Sequence, residues 1–402
     1  MFLEMQMSDH EPIDNARRNL LKGAVAVPAS LAMAQAMPGI AASNTDPLRN
    51  VIVVNTLGGL FDREVPRPKI GSAPQVLENT LVEAITDRSI GYALEAGMTA
   101  VNVTLGYIDG PVDPFEHSVR EVGRWQRILQ LHPDKLLRVL TTQDIQRAKA
   151  EGKVGVILGF QNGVMVGNDA SRVGIFADLG VRVFQLTYNK ATPLGDGAIA
   201  PENRGLTQLG RDVIAQLNEV RVISDLSHSG QNLCLDAARA SKRPITLTHT
   251  GCRALADIPR NKTDEELKLV AEKGGYVGIY FTAFLRVGGS ATAEDVIVHI
   301  EHALQVCGED HVGIGTDGLA APVADPERLR KLQLEQLEQR RKSGIAAPGE
   351  TAAGPNFVID LNGPQQFRKL AELLRQRGHS WTRIEKILGK NFMRVAKDIW
   401  GA

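Results

Sequence analysis

The sequence comprises 402 residues, of which 43% are hydrophobic and 23% charged, so the chain can bury a sizeable core as one large domain or two modest ones. Lysine plus arginine and aspartate plus glutamate both total 46. This balance gives no reason to expect a nucleic acid or an anionic membrane as partner, and a small molecule is expected instead. The three cysteines, Cys234, Cys252 and Cys307, form no CxxC pair, so neither a disulfide framework nor a thiolate zinc site is indicated.

The first residues of the chain have the pattern of an export signal. The stretch ARRNLLKG (16–23) places two arginines before an apolar, small-residue run that extends to Met37. The paired arginines resemble a twin-arginine signal, and a general secretory signal is the alternative. We therefore predict a signal peptide over 1–42, a mature domain over 43–402 and a periplasmic location. No later segment has the apolar length of a membrane span.

Short apolar or β-branched runs alternate with helical patterns along the rest of the chain. Residues 207–219 have apolar side chains on one helical face, and 263–274 begin with a threonine cap and end at a glycine. We predict eight strands: Val51–Val54, Thr99–Leu105, Val154–Phe160, Val181–Thr187, Val220–Leu226, Pro244–Thr248, Tyr276–Phe281 and Val312–Thr316. This rhythm favours an α/β fold of the TIM-like (β/α)8 barrel type. A doubly wound open sheet is the rival, but no GxGxxG turn follows the first strand.

Residues 321–356 interrupt this rhythm after the eighth strand. Proline, glycine and alanine flank a charged helix there, which predicts a long loop insertion. Three C-terminal helices are predicted after it: Pro364–Arg377, Trp381–Leu388 and Phe392–Trp400.

Polar residues follow several of the predicted strands, where a barrel enzyme has its active site. The strand ends are Asn55, Tyr107, Gln161, Tyr188 with Asn189, His228, His249, Phe281 with Thr282, and Asp317. The two histidines stand on consecutive strands, and imidazole is a common metal ligand. A catalytic zinc takes about three protein ligands, so an oxygen donor would have to complete the set.

Six linked motifs, in order along the chain, resemble those of the membrane (renal) dipeptidase family, peptidase family M19. They are LGVRVFQLTYNKATPLGDG (179–197), VISDLSHSG (222–230), PITLTHTGCRALADIPRN (244–261), EKGGYVGIYF (272–281), HVGIGTDG (311–318) and ILGKNFMRV (387–395). The resemblance implies a metal-dependent barrel with two bridged zinc ions that hydrolyses dipeptides, often with a D-residue at the C-terminal position. It also implies a tendency to form homodimers.

The same resemblance implies roles for individual residues. His228 and His249 match the two histidines of the second zinc, Arg260 matches the arginine that holds the substrate carboxylate, and Asp317 matches the acid on the eighth strand. A guanidinium offers a fork to a carboxylate. An aspartate beside the reacting water can pass a proton to the departing amine. Asn189 is a further candidate for substrate binding.

Four positions depart from the family pattern. Leu57 and Gly59 stand where a histidine and an aspartate bind the first zinc, and Gln161 stands where a glutamate bridges both ions. Tyr188 replaces a histidine that contacts the substrate or the tetrahedral intermediate, and it can still donate a hydrogen bond. Gln161 is therefore a weak metal ligand, and we predict one zinc ion or none. Three nearby acids could replace the lost ligands if their loops folded inward, but we interpret them as solvated loop carboxylates: Asp62, Asp109 and Asp113.

Three functions fit this sequence. The first is a periplasmic metallohydrolase that cleaves dipeptides or related small peptides with one retained zinc. The second is a dipeptidase-like protein that acts in the maturation of an exported peptide of the siderophore type. The third is a peptide-binding protein without turnover.

Overall fold

The computed structural model describes residues 46–65, 82–351 and 354–401, which all lie in one compact unit, Asp46–Ala402. The predicted signal peptide, 1–42, lies outside the described residues. None of the helices in these three ranges combines the length and the apolar character needed to cross a membrane.

Eight parallel strands form the barrel predicted from the sequence. They are β1 (Val54–Gly59), β2 (Ala100–Leu105), β3 (Val154–Phe160), β4 (Val181–Gln185), β5 (Ile223–Asp225), β6 (Thr246–Thr250), β7 (Tyr276–Ile279) and β8 (Val312–Ile314). Each strand pairs with the next one in chain order. Gly318–Leu319 continue the chain beyond β8 and pair in parallel with β1, which closes the ring. The (β/α)8 fold is thereby confirmed.

Helices connect the strands on the outside of the barrel and extend the chain after it. They are α1 (Asp87–Glu95), α2 (Pro114–Leu131), α3 (Thr142–Glu151), α4 (Arg172–Asp178), α5 (Gln208–Glu219), α6 (Gln231–Ala240), α7 (Asp264–Glu272), α8 (Ala293–Cys307), α9 (Pro326–Lys342), α10 (Gln366–Gln376), α11 (Trp381–Glu385) and α12 (Asn391–Trp400). Side-chain caps set the starts of many of these helices. At α7, for example, the Thr263 hydroxyl accepts from Glu266 N–H, and the Glu266 carboxylate accepts from Thr263 N–H.

The barrel strands are buried on both faces, which explains why they are near-continuous apolar runs in the sequence. All seven residues of β3 are buried. Polar groups inside the barrel are satisfied across it: the Thr56 hydroxyl lies 2.6 Å from the Thr248 carbonyl oxygen and 2.8 Å from that of Ile314. The Asn55 amide nitrogen donates to the Thr316 hydroxyl over 2.8 Å.

Several predicted strand boundaries are wrong. The sixth strand is Thr246–Thr250 and not Pro244–Thr248, so His249 lies inside the strand and not after its end. The first strand is Val54–Gly59 and not Val51–Val54, so Asn55 lies inside the strand and not at its carboxyl end. Its polar side chain suggested a strand end, whereas it is buried and hydrogen-bonded within the barrel. The fifth strand begins at Ile223, because Val220 is the C-cap of α5. A further short strand, Leu136–Arg138, pairs with β3 and was not predicted.

The segment predicted as a loop insertion, 321–356, contains the 17-residue helix α9. The three predicted C-terminal helices are present as α10, α11 and α12, and a π-helical turn, Lys386–Lys390, joins the last two. Asn391 attaches this end of the chain to the barrel, since its amide nitrogen donates to the carbonyl oxygens of Glu309 and Val312 over 2.8 Å each.

Candidate active site at the carboxyl ends of the strands

A cavity of about 240 Å³ lies at the carboxyl-terminal face of the barrel. Five residues predicted from the sequence line it: Tyr188, Asn189, His228, Arg260 and Asp317. Two residues that were not predicted, Arg340 of α9 and Glu350 of the following loop, also line it. His249 is buried beside His228, with ring centres 5.0 Å apart. Gln161 is not among the lining residues of this cavity.

The His228 imidazole has one hydrogen-bonded nitrogen and one that is available. Its Nδ1 lies 2.6 Å from Oδ1 of Asn189, and the Asn189 amide nitrogen donates to the Ile345 carbonyl over 2.7 Å. Because that second bond orients the amide, its oxygen faces the imidazole and Nδ1 carries the hydrogen. Burial, helped by the charge of Arg260, lowers the pKa of His228 well below its ordinary value. The ring is therefore neutral, with a lone pair on Nε2.

His249 has the same tautomer for a different reason. Its Nδ1 lies 2.9 Å from the Thr248 hydroxyl oxygen, and that hydroxyl donates to the Asp225 carboxylate over 2.7 Å. The imidazole must then donate from Nδ1, which leaves the lone pair on Nε2. Within the described ranges, this buried Nε2 has no hydrogen-bond partner. Burial lowers the pKa of His249 well below its ordinary value, and the nearby Arg260 adds to the effect.

Arg260 is a buried cation that no carboxylate neutralises directly. The residue is 1% exposed, and its guanidinium donates to the Ser227 carbonyl and lies 6.0 Å from the centre of the Tyr280 ring. Across 46–65, 82–351 and 354–401, no carboxylate makes an ion pair with it. A buried guanidinium without a counter-ion is costly unless a ligand provides one. The remaining N–H groups are suited to a carboxylate.

Asp317 presents a carboxylate to the same cavity. Its backbone has the left-handed conformation, with φ of 52°, and its N–H donates to the Leu57 carbonyl over 2.9 Å. Of the residues described, none hydrogen-bonds to the carboxylate. The residue is exposed where it lines the cavity, but the protein atoms around the opening partly desolvate the carboxylate and raise its pKa to about 6, although Arg260 and Arg340 oppose the shift. At neutral pH the Asp317 carboxylate is therefore ionised and can act as a base. It becomes protonated as the pH falls through about 6.

Tyr188 stacks on His228, with ring centres 4.2 Å apart and an angle of 24° between the planes. Nη1 of Arg340 donates to the Tyr188 hydroxyl oxygen over 3.0 Å. Glu350 accepts from Nε and Nη2 of Arg340 over 2.7 Å each. Burial raises the pKa of Tyr188, so the phenol stays protonated. The Arg340–Glu350 pair stands ten positions apart in a charged segment, and no sequence signal distinguishes it from its neighbours.

The described residues do not provide the ligand set of a zinc centre. His228 and His249 offer two nitrogen lone pairs, but within the described part of the chain no group of three His, Cys, Asp or Glu side chains is placed to hold a metal ion. A catalytic zinc takes three protein ligands, so the set is one short. The amide nitrogen of Gln161 donates to the Thr104 hydroxyl over 2.6 Å.

The three acids considered as replacement ligands are engaged elsewhere. Asp62 accepts hydrogen bonds from Arg88, and Asp109 lies 3.3 Å from the Lys190 ammonium. Asp113 caps α2. None of the three lines the cavity that contains His228. The described residues therefore do not supply the ligands that a zinc-dependent mechanism needs.

Fold and cavity position are those of the metallo-dependent hydrolase barrels. The sequence profile of the membrane dipeptidase family (peptidase family M19) matches residues 95–347. The chain belongs to this family, as its motifs predicted. The members of this family are dipeptidases, which are hydrolases and are generally zinc-dependent.

Individual proteins of known sequence or structure are similar to this chain. Dipeptidase tcpJ of Claviceps purpurea is 28% identical over 284 residues, which are 70% of this chain and 59% of the relative. The crystal structure of an amidohydrolase from Pseudomonas aeruginosa superimposes with a TM-score of 0.72 and 28% identity, over 89% of this chain and 98% of that one. A metallo peptidase from Rhodobacter sphaeroides, liganded with a phosphinate mimic of the dipeptide L-Ala-D-Ala, has the same fold, with a TM-score of 0.67, 18% identity and coverage of 87% and 99%.

Proposed function

We propose that the protein binds dipeptides or related small peptides by their free C-terminal carboxylate and hydrolyses the adjacent amide bond. The observation that carries this proposal is the position of Arg260. Its buried guanidinium makes no direct ion pair with any carboxylate of the described residues, and it lines the same cavity as the carboxylate of Asp317. A peptide carboxylate on Arg260 satisfies the charge and places the preceding amide within the cavity.

Asp317 is the proposed general base and acid. It takes a proton from a water molecule as the water oxygen bonds to the amide carbon, and it then gives that proton to the amide nitrogen as the C–N bond breaks. A carboxyl pKa of about 6 suits both transfers near neutral pH. Tyr188 is a proposed hydrogen-bond donor to the substrate. Asn189 has both ends of its amide occupied, so we give it the role of positioning His228.

We propose that the chain holds at most one zinc ion. The two imidazole lone pairs support this limit, together with the replacement of the first-site ligands by Leu57 and Gly59. We also retain a homodimer and a periplasmic location as proposals. The paired arginines before the apolar run support export by the twin-arginine route, and the mature domain would then begin near 43.

The test is an assay of L-Ala-D-Ala hydrolysis by the purified mature protein, combined with a zinc count before and after chelation. We expect turnover, at most one zinc per chain, and loss of turnover in Asp317→Asn. Turnover that survives chelation supports water activation by Asp317. Two zinc ions per chain would contradict our interpretation of Leu57 and Gly59.

A second candidate is a peptide-binding protein without turnover. The observation that favours it is the missing third metal ligand beside His228 and His249. It predicts that L-Ala-D-Ala raises the melting temperature of the protein while the dipeptide remains intact. The hydrolysis assay separates the two functions directly.

A further inference from the structure

Three hydrogen-bond acceptor atoms hold the Arg340 guanidinium in place at the edge of the cavity. Glu350 takes Nε–H and one Nη2–H over 2.7 Å each, and the Ile345 carbonyl takes the other Nη2–H over 3.3 Å. Glu350 is itself fixed by the Ala347 N–H over 2.8 Å. The guanidinium carbon lies 5.6 Å from the centre of the Tyr188 ring. A long side chain from an inserted helix is thereby fixed over the active-site residues.

A count of donors leaves two that have no acceptor. A guanidinium carries five N–H groups. Three are used by Glu350 and Ile345, and one Nη1–H goes to the Tyr188 hydroxyl oxygen. The second Nη1–H is free in the described structure, and so is the O–H of Tyr188. Their parent atoms are 3.0 Å apart and both residues line the cavity.

We infer that Arg340 and Tyr188 form an oxyanion-binding pair that receives the carbonyl oxygen of the scissile amide. The inference rests on the proposed function and adds a catalytic residue to it. Two preorganised donors stabilise negative charge on oxygen more than they stabilise a neutral carbonyl. The phenol is neutral, and the guanidinium, although paired with Glu350, adds a charge-assisted N–H donor beside it. The pair needs no reorganisation, because Glu350 and the His228 ring already hold its members.

The experiment compares two ligands that differ at the reacting carbon. L-Ala-D-Ala has a neutral carbonyl there, and its phosphinate mimic has an anionic tetrahedral centre. Both are titrated by calorimetry into chelator-treated protein that carries Asp317→Asn, so that the dipeptide stays intact. With Arg340→Met, we expect affinity for the phosphinate to fall about 100-fold and affinity for the dipeptide to change by less than about threefold. With Tyr188→Phe, we expect a loss of about tenfold for the phosphinate. Arg330→Met, an exposed position on the same helix, should change neither affinity.

Two further variants separate a catalytic role from a structural one. Arg340→Met leaves Glu350 without its partner, so Arg340→Met with Glu350→Gln repeats the titration without an unpaired, partly buried carboxylate. Arg340→Lys keeps the charge but loses the fork, and we expect intermediate affinity for the phosphinate. If Arg340→Met lowers the affinity for both ligands equally, or lowers neither, Arg340 and Tyr188 do not form an oxyanion-binding pair. If the unsubstituted protein prefers the phosphinate through these residues but cleaves no dipeptide, the pair is supported and the proposed hydrolysis is contradicted.

Discussion

Oδ1 of Asn189 lies 2.6 Å from Nδ1 of His228, and the amide nitrogen of the same asparagine is bound by the Ile345 carbonyl. Ile345 belongs to the inserted segment 321–356. Through this chain of two hydrogen bonds, the insertion determines which nitrogen of His228 keeps its lone pair. A hydrogen bond to one ring nitrogen controls the orientation of a functional imidazole and the basicity of its other nitrogen.

Replacing Asn189 with alanine should disturb His228 without touching its ring. We expect a mixture of imidazole tautomers and about tenfold weaker binding of L-Ala-D-Ala, because Nδ1 loses its fixed acceptor. The ¹⁵N chemical shifts of His228 report the tautomer, and calorimetry reports the affinity. Asn362→Ala, which removes an amide bound to the Ile359 carbonyl away from the cavity lining, is the control. An unchanged His228 spectrum would show that Asn189 does not set the tautomer.

The barrel could be predicted from the sequence because its parallel strands are buried on both faces and appear as short apolar runs. The register of β1 could not, since Asn55 and Thr56 satisfy their polar groups inside the barrel and look like strand-end residues in the sequence. The proposed roles of His228 and Asp317 came from the family motifs. Arg340 could not be found this way, because its contact with Tyr188 joins positions 152 apart and depends on how the insertion folds.

Arg260→Met should abolish recognition of the peptide carboxylate while the protein stays folded. We expect the Kd for L-Ala-D-Ala to rise about 100-fold, equivalent to about 3 kcal/mol, because a charge-assisted fork is lost. The midpoint of urea unfolding should stay the same or rise, because the substitution removes a buried cation that makes no direct ion pair within the described residues. Arg253→Met, in the same loop and paired with the exposed Asp257, should leave the affinity unchanged. A large fall in the urea midpoint for Arg260→Met would mean that the arginine is structural.

Peptide hydrolysis should depend on the ionisation of Asp317. With a carboxyl pKa of about 6, kcat/KM should rise with pH through that value and level off above it. Asp317→Asn should lower kcat/KM about 100-fold or more and remove this rise. Asparagine tolerates the left-handed backbone at this position, so the variant should fold normally. A pH profile that keeps the same midpoint in the variant would assign the ionisation to another group.

The same pKa predicts how stability changes with pH. A carboxyl pKa raised above its ordinary value of 3.8 means that the folded chain binds the proton more tightly than the unfolded chain. That contribution is fully present below pH 3.8 and is lost as the pH rises through about 6. Asp317→Asn should therefore be more stable than the unsubstituted protein at pH 7.5, with a smaller difference at pH 4.5. Urea unfolding at the two pH values measures this, and equal differences would contradict the raised pKa.

The buried ion pair of Lys262 and Glu266 should hold the segment that carries His228. The two side chains are each 2% exposed and 3.1 Å apart, and Lys262 also donates to the carbonyl of Ser229, the residue after His228. Lys262→Met isolates a buried carboxylate, so we expect the free energy of unfolding to fall by about 3 to 5 kcal/mol.

Adding Glu266→Gln to Lys262→Met should restore most of that stability, because the glutamine amide can still cap α7 while the isolated charge is removed. Lys268→Met, on α7, is the matched control: its partner Glu272 lies 3.9 Å away and the two side chains are 69% and 60% exposed, so urea unfolding should be unchanged. If the double variant is as unstable as Lys262→Met, the lost stability belongs to the hydrogen bond with Ser229 and not to the charge. In that case binding of L-Ala-D-Ala should weaken in both variants, because the segment that carries His228 is released.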